Sequence, residues 1–217
     1  MRQPTLTTHP RHLAARAAGR AVTLIEMMVV IALAALIISL AAPSFSEYIV
    51  TQRVRSVHAQ LATDLQYARS EAVARGSFVG VRFQFTTGST GASCYVIFSR
   101  PEPGPTNPVS CDCLAAPGLR CAANPGVTTE LRTVTIPNEL RVNLRLGPSQ
   151  PDTMNYDPRT GALKFQPIDE TILVAQGFIV DTSADADRKL RVVVKPSGRP
   201  ELCAPTGSTL GGTPCAP

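Results

Sequence analysis

The spacing of apolar residues divides this chain into three regimes. Residues 22–42, VTLIEMMVVIALAALIISLAA, form an almost unbroken apolar run whose one charge is Glu26. A helix of that length is about 30 Å long, the thickness of a bilayer core. Past Pro43 the pattern turns amphipathic. Val50, Val54, Val57, Leu61, Leu65, Ala68 and Ala72 recur every three or four residues, which places them on one helix face. Arg53, Arg55, Asp64, Arg69, Glu71 and Arg75 fall mainly elsewhere, and Gly76 follows as a stop. One long helix is therefore expected over residues 22–75, its apolar half (22–42) spanning a membrane and its amphipathic half (43–75) packed on a domain. His58 is read as an exposed residue of that helix, with no catalytic role.

From Phe78 the period changes from helical to two. Residues 78–85 alternate, with Val79, Val81, Phe83 and Phe85 on one face. Residues 94–98 are apolar and strand-like. Residues 139–146 alternate throughout, with Leu140, Val142, Leu144 and Leu146 inward, which predicts a single strand. Further strands are expected over 130–136, 162–165, 171–181 and 189–195, and Asp157-Pro158-Arg159-Thr160-Gly161 supplies a turn. The fold class is α+β. Residues 76–217 form a β-rich domain of about 140 residues, large enough for its own core. The Pro-rich stretch 100–126 is read as a surface excursion.

Charge sharpens the N-terminal reading. The chain has 217 residues, 44% of them hydrophobic and 17% charged, with 21 Lys and Arg against 16 Asp and Glu. That composition argues against a highly charged disordered protein. Arg2, Arg11, Arg16 and Arg20 precede the apolar run, where there is no acidic residue; without them 17 basic residues face 16 acidic ones. The excess charge thus belongs to the leader, and the whole-chain balance says little about the remainder. Positive charge ahead of the span places residue 1 in the cytoplasm and the C-terminal bulk across the membrane. A cleaved secretory signal fits less well, because the run is too long for a signal core and continues into a helical pattern.

All six cysteines, Cys94, Cys111, Cys113, Cys121, Cys203 and Cys215, lie in the β-rich part. An even number in a loop-rich region reads as a disulfide framework in an oxidising compartment. Cys111 and Cys113 are too close in sequence to bond to each other, so they pair with Cys94 and Cys121 in one of two arrangements. Cys203 and Cys215 close the C-terminal loop. No flanking His or CxxC pair supports a metal site, and no cofactor is expected. P-loop, HExxH, GxSxG and Gly-rich dinucleotide turns are also absent from the sequence, so no enzyme is expected.

Glu26 remains to be explained, since a lone carboxylate in a spanning helix costs about 2–3 kcal/mol unless it is paired or reaches the interface. Gly19-Arg20-Ala21-Val22-Thr23-Leu24-Ile25-Glu26 ahead of the span resembles the processing signature of type IV prepilins and pseudopilins. Three further patches are similar to the GspH/FimT branch: Ala68-Arg69-Ser70-Glu71-Ala72 with Arg75-Gly76, Met154-Asn155-Tyr156-Asp157-Pro158-Arg159-Thr160-Gly161, and Leu190 through Ser197-Gly198-Arg199-Pro200. The resemblance implies a pilin-like fold with a prepilin leader (1–21) cut by a prepilin peptidase between Ala21 and Val22, where Ala stands for the usual Gly and Val for the usual Phe. It implies N-methylation of the new terminus, Thr23 and Glu26 as assembly residues, and Pro43 as the proline that commonly kinks such helices. Its partners would be other pilin or pseudopilin subunits in the bacterial inner membrane, with the C-terminal domain periplasmic.

Within that branch the expected role is a minor pilin or pseudopilin that enters or primes a type IV pilus or type II secretion filament. The alternative is a DNA-binding minor pilin in DNA uptake, using Arg188, Lys189, Arg191, Lys195 and Arg199. That group ends in G-R-x-R; here Glu201 replaces the second Arg, removing a phosphate contact and adding repulsion.

Overall fold

A computed structural model describes residues 22–85, 92–101, 111–122, 126–164 and 177–215, and of residues 40–43 the backbone alone. The chain separates into two compact units, Met1–Pro43 and Ser44–Pro217. Helix α1 runs over Leu24–Arg75. Its last turn carries Arg75, paired with Glu71 one turn earlier. Gly76 follows at φ 61°, the left-handed conformation in which glycine ends helices without a Cβ clash. Within the second unit the whole expected stripe, Val50 to Ala72, is buried.

Among the described residues nine strands form two antiparallel sheets around that stripe. The first has the order β3-β2-β1-β5-β6, from β1 (Phe78–Phe85), β2 (Ser93–Arg100), β3 (Thr129–Ile136), β5 (Thr153–Tyr156) and β6 (Leu163–Lys164). The second has the order β4-β7-β8-β9, from β4 (Asn143–Leu146), β7 (Phe178–Ser183), β8 (Lys189–Val194) and β9 (Pro200–Cys203). One core joins helix and sheets, drawing Val81 and Phe83 from β1, Ile97 from β2, Met154 from β5, Val180 from β7 and Val192 from β8. Phe83 links the layers: its ring centroid lies 5.8 Å from that of Tyr95 on β2 and 5.7 Å from that of Phe178 on β7. Both spacings fall in the favourable range for aromatic pairs.

Several expectations need correction. Residues 139–146 are not one strand: Asn138–Leu140 form a 3₁₀ turn, Arg141 sits at φ 56°, and β4 begins only at Asn143. Val142 and Leu144 are buried as the alternation required, so the burial period survives a break in conformation. Strands β5 and β9 are short, four residues each, and their spacing pattern does not reveal them. Segment 171–181 is described only from 177, and β7 extends beyond it to Ser183. Phe85 ends β1 exposed rather than on the inner face.

The Pro-rich stretch is not purely a surface excursion. Cys111 and Cys113 are buried with Cys94, Val96 and Phe98 in a second, smaller core. Strand β2 is therefore covered on both sides, which explains why residues 94–98 are continuously apolar. Disulfides Cys94–Cys113 and Cys111–Cys121 hold this cover, and Cys203–Cys215 closes the C-terminal loop. Gly80 faces Phe98 across the β1/β2 ladder. A Cβ there would come within 2.7 Å of the Phe98 ring, so glycine makes room for the aromatic that floors the second core.

Two polar helix residues expected outside are inside. Asp64 is buried, accepts a 2.7 Å hydrogen bond from the Tyr95 hydroxyl and pairs with Arg132 Nε at 3.2 Å, tying α1 to β2 and β3. Burial and this hydrogen bond push the Tyr95 phenol well above its ordinary range. His58 is also buried, and its Nδ1 has no hydrogen-bond partner among the described residues. Desolvation lowers its pKa to about 4 against an upward pull from Asp181.

The sign of the consequence for stability follows from linkage. Between pH 6.5 and 4 the unfolded chain protonates His58 while the folded chain does not, so stability falls as pH drops through this window, by about 3 kcal/mol in total. His58→Leu removes that step. The expected result is a wild-type-minus-variant difference in unfolding free energy that is constant above pH 7 and moves against wild type towards pH 4. A difference independent of pH would show that His58 titrates normally in the fold.

Candidate functional site

Two regions hold the residues that the sequence singled out, one in each unit. In the first, Thr23 lies just outside helix α1 and accepts at Oγ1 a 3.3 Å hydrogen bond from the Glu26 backbone N–H. Met27 N–H donates to the Thr23 carbonyl at 3.2 Å. Thr23-x-x-Glu26 thus has the spacing of a capping box, and the Glu26 carboxylate sits in the first turn, where the helix dipole favours negative charge. Every residue from Val22 to Ser39 is exposed. Among these, Leu24, Ile25, Ile37 and Ile38 are each at least 65% exposed, far beyond what a soluble surface helix presents. Ser39 returns its hydroxyl to the Leu36 carbonyl at 2.7 Å, leaving no polar stripe there.

Among the described residues no single helix is long and apolar enough to cross a membrane; Leu24–Ser39 and Ser44–Arg75 pass that test only as a pair. Ala21 and the leader lie outside the described residues. Pro43 falls within the backbone range of α1, and its side chain lies outside them too.

In the second unit, the three patches from the helix end, the turn after β5 and the segment after β8 meet at one point. Asp157 Oδ1 accepts hydrogen bonds from the N–H groups of Arg159 (2.8 Å) and Thr160 (3.0 Å), folding the turn that ends at Gly161. Gly161 turns with φ 64°, and its carbonyl accepts a 3.0 Å hydrogen bond from Arg69 Nε on the helix. Gly198, at φ 79°, lies directly against that carbonyl: a Cβ on Gly198 would stand 1.8 Å from Gly161 O. The turn carrying Gly198 is closed by Gly198 N–H to Lys195 O (2.8 Å) and Lys195 N–H to Arg199 O (3.1 Å). Leu163 N–H donates to the Pro196 carbonyl at 3.0 Å, binding the two turns together. The sequence marks Gly161 as a turn residue and Gly198 as part of a patch similar to the family, but gives no sign that they touch. Beside the clasp is a cleft of about 440 Å³ lined by Gln66, Arg69, Ser70, Val73, Arg199 and Pro200.

The five cations considered for nucleic acid do not present one free patch. Arg191 makes a two-pronged pair with Asp181, at 2.7 and 2.8 Å. Arg188 is bound by Asp185, at 2.7 Å through Nε, and by Glu47 on the helix. Lys195 pairs with Glu201 at 2.8 Å. Hydrogen bonding to Asp181 and Asp185 raises the pKa of Arg191 and Arg188 respectively, as expected for committed guanidinium groups. Only Lys189 and Arg199 of the five lack an acidic partner among the described residues. Among those residues no cluster of His, Cys, Asp and Glu could hold a metal ion, and all six cysteines are in disulfides.

In a comparison with known protein families, the profile of type II transport protein GspH aligns with residues 59–198, more than half of the chain. The aligned range runs from within the buried stripe of α1 to Gly198 and so contains Arg69, Gly161 and Gly198. Searches of curated proteins and of solved structures gave no match.

Proposed function

The chain belongs to the GspH family, and on that premise we propose that it acts by assembly, as a minor pilin or pseudopilin that enters or primes a type IV pilus or type II secretion filament. One observation carries this reading: a capped helix start whose residues are exposed on every side, with a single charge, the Glu26 carboxylate, on a chain whose residues 59–198 match that family. Such a segment has no low-energy place in water; it requires lipid or the apolar flank of another helix.

In this proposal a prepilin peptidase cuts between Ala21 and Val22 at the cytoplasmic face of the inner membrane, and Val22 becomes the methylated first residue. Residues 22–42 then anchor the chain and the domain over 76–217 faces the periplasm, whose oxidising conditions suit the three disulfides. Thr23 fixes the start of the helix, and Glu26 meets the amino terminus of a neighbouring subunit, exchanging an uncompensated intramembrane charge for a pair. Catalytic, metal and cofactor roles are assigned to no residue. The internal ion pairs of Arg188, Arg191 and Lys195 favour assembly over DNA binding, because a phosphate would first have to displace a carboxylate from each.

Mass spectrometry of the protein from cells tests the processing step, with a chain starting at N-methylated Val22 as the expected result. Glu26→Ala is expected to reduce recovery in sheared filaments by at least tenfold, a figure on the order of one lost ion pair in a low-dielectric site. The same variant should unfold at the wild-type temperature, because Glu26 is exposed and lies outside the core. Undiminished incorporation of Glu26→Ala would end the assembly role given to it.

A further inference from the structure

We infer that the cleft between Gln66, Arg69, Ser70 and Val73 on the helix and Arg199-Pro200 receives an acidic side chain of a neighbouring filament subunit, gripped by Arg69 and Arg199. This rests on the assembly reading above and names the kind of partner surface that the domain engages.

Two arginines line one concave surface, and none of the six lining residues is acidic. Arg69 spends its Nε on the Gly161 carbonyl, which holds the planar fork in place and leaves its terminal amino groups without a partner among the described residues. Arg199 is exposed and makes no side-chain hydrogen bond or ion pair among them. The nearest acid along the helix, Glu71, is committed to Arg75. Elsewhere on this part of the domain Arg191 and Lys195 each have their own carboxylate, whereas the two arginines of the cleft face no carboxylate among the described residues. A carboxylate accepts two parallel N–H bonds from a guanidinium, and such charge-assisted pairs are the strong ones.

Shape and surroundings select protein over nucleic acid. A volume of about 440 Å³ admits one or two side chains and a short length of backbone. Val73, 51% exposed, and Pro200 give the rim an apolar character suited to the methylene stem of Glu or Asp and its neighbours. Among the described residues no aromatic side chain lines the cleft to stack a base, and two cations at one point do not track a phosphate backbone.

The test places a photo-reactive residue in the full-length protein in cells, by Val73→p-benzoylphenylalanine, with and without Arg199→Glu. The expected result is a cross-link to another filament subunit whose mapped peptide contains Asp or Glu, reduced at least tenfold by Arg199→Glu. Arg199 gives the clasp only its backbone carbonyl and its side chain is exposed, so an unchanged unfolding temperature for Arg199→Glu separates lost docking from lost folding. A cross-link to a segment without an acid, one indifferent to Arg199→Glu, or one to DNA overturns the inference. Val73→p-benzoylphenylalanine protein with Arg199 intact that enters the fibre without any cross-link overturns it while leaving the assembly reading intact; wild-type protein that never enters a fibre overturns both.

Discussion

Gly198→Ala is expected to lower the stability of the second unit by about 3–5 kcal/mol, a sizeable fraction of what a domain of this size possesses. Two effects combine. Alanine at φ 79° carries a conformational cost of about 1 kcal/mol. The larger effect is steric, because the new methyl would stand 1.8 Å from the Gly161 carbonyl, and that neighbour is backbone rather than a side chain able to rotate away. The turns must separate, and the Arg69 Nε bond to Gly161 O is lost with them. Gly207→Ala serves as the control, since Gly207 has nearly the same φ, 80°, and a methyl added there would meet nothing within 4 Å. Thermal unfolding of the full chain in detergent, followed by circular dichroism, should place Gly198→Ala about 10 °C below wild type and Gly207→Ala within about 3 °C of it. Equal shifts for the two variants would mean that backbone conformation alone, and not the meeting of the two turns, demands glycine at 198.

Removal of the Cys94–Cys113 bridge by paired alanine substitution should destabilise the same unit by about 4–5 kcal/mol. The bond spans 19 residues, and freeing a loop of that length in the unfolded chain accounts for about 3 kcal/mol in the chain-entropy description. The rest comes from packing, because both cysteines are buried and lie in the small core that covers the outer side of β2. Gln84 Oε1 accepts the Cys113 N–H at 2.6 Å, so the loosened loop would also unpair a strand side chain. The corresponding pair at Cys203 and Cys215 spans 12 residues, and both cysteines are half-buried, so its removal should cost about 2–3 kcal/mol. Unfolding temperatures in the order wild type, Cys203→Ala/Cys215→Ala, Cys94→Ala/Cys113→Ala check the ranking. An inverted order would mean that the second core contributes little.

Much of the architecture was legible because periodicity is a local property. The seven apolar residues from Val50 to Ala72 needed only a helical repeat to be placed on one face, and all seven are buried. Residues 78–85 needed only alternation, and β1 has those bounds. Thr23 and Glu26 stand out in any reading, since one charge in an apolar run is conspicuous whatever the chain does later. Lone Gly76 past the last helical repeat marks the helix end for an equally local reason.

What the sequence withheld depends on which elements come to lie opposite one another. His58 and Asp64 sit on the helix beside the apolar stripe, and only the arrival of the two sheets buries one without a partner at Nδ1 and supplies the other with Tyr95 and Arg132. Alternation over 139–146 predicted the right buried residues but not the turn at Arg141, because burial period and backbone conformation are separable. Three of the cations that lie close in sequence are paired, since carboxylates from Glu47 on the helix and Asp181 on the adjacent strand reach Arg188 and Arg191 only in the folded chain, as Glu201 reaches Lys195.

By itself, then, the sequence determined the apolar helix with its single acid, the buried stripe that follows it, and the family to which the chain is similar, because each is written in spacing along the chain. Tertiary structure alone decided that Gly161, Gly198 and Arg69 form one clasp, that β2 is covered on both faces, and which charges remain free, because each depends on distances between residues far apart in sequence.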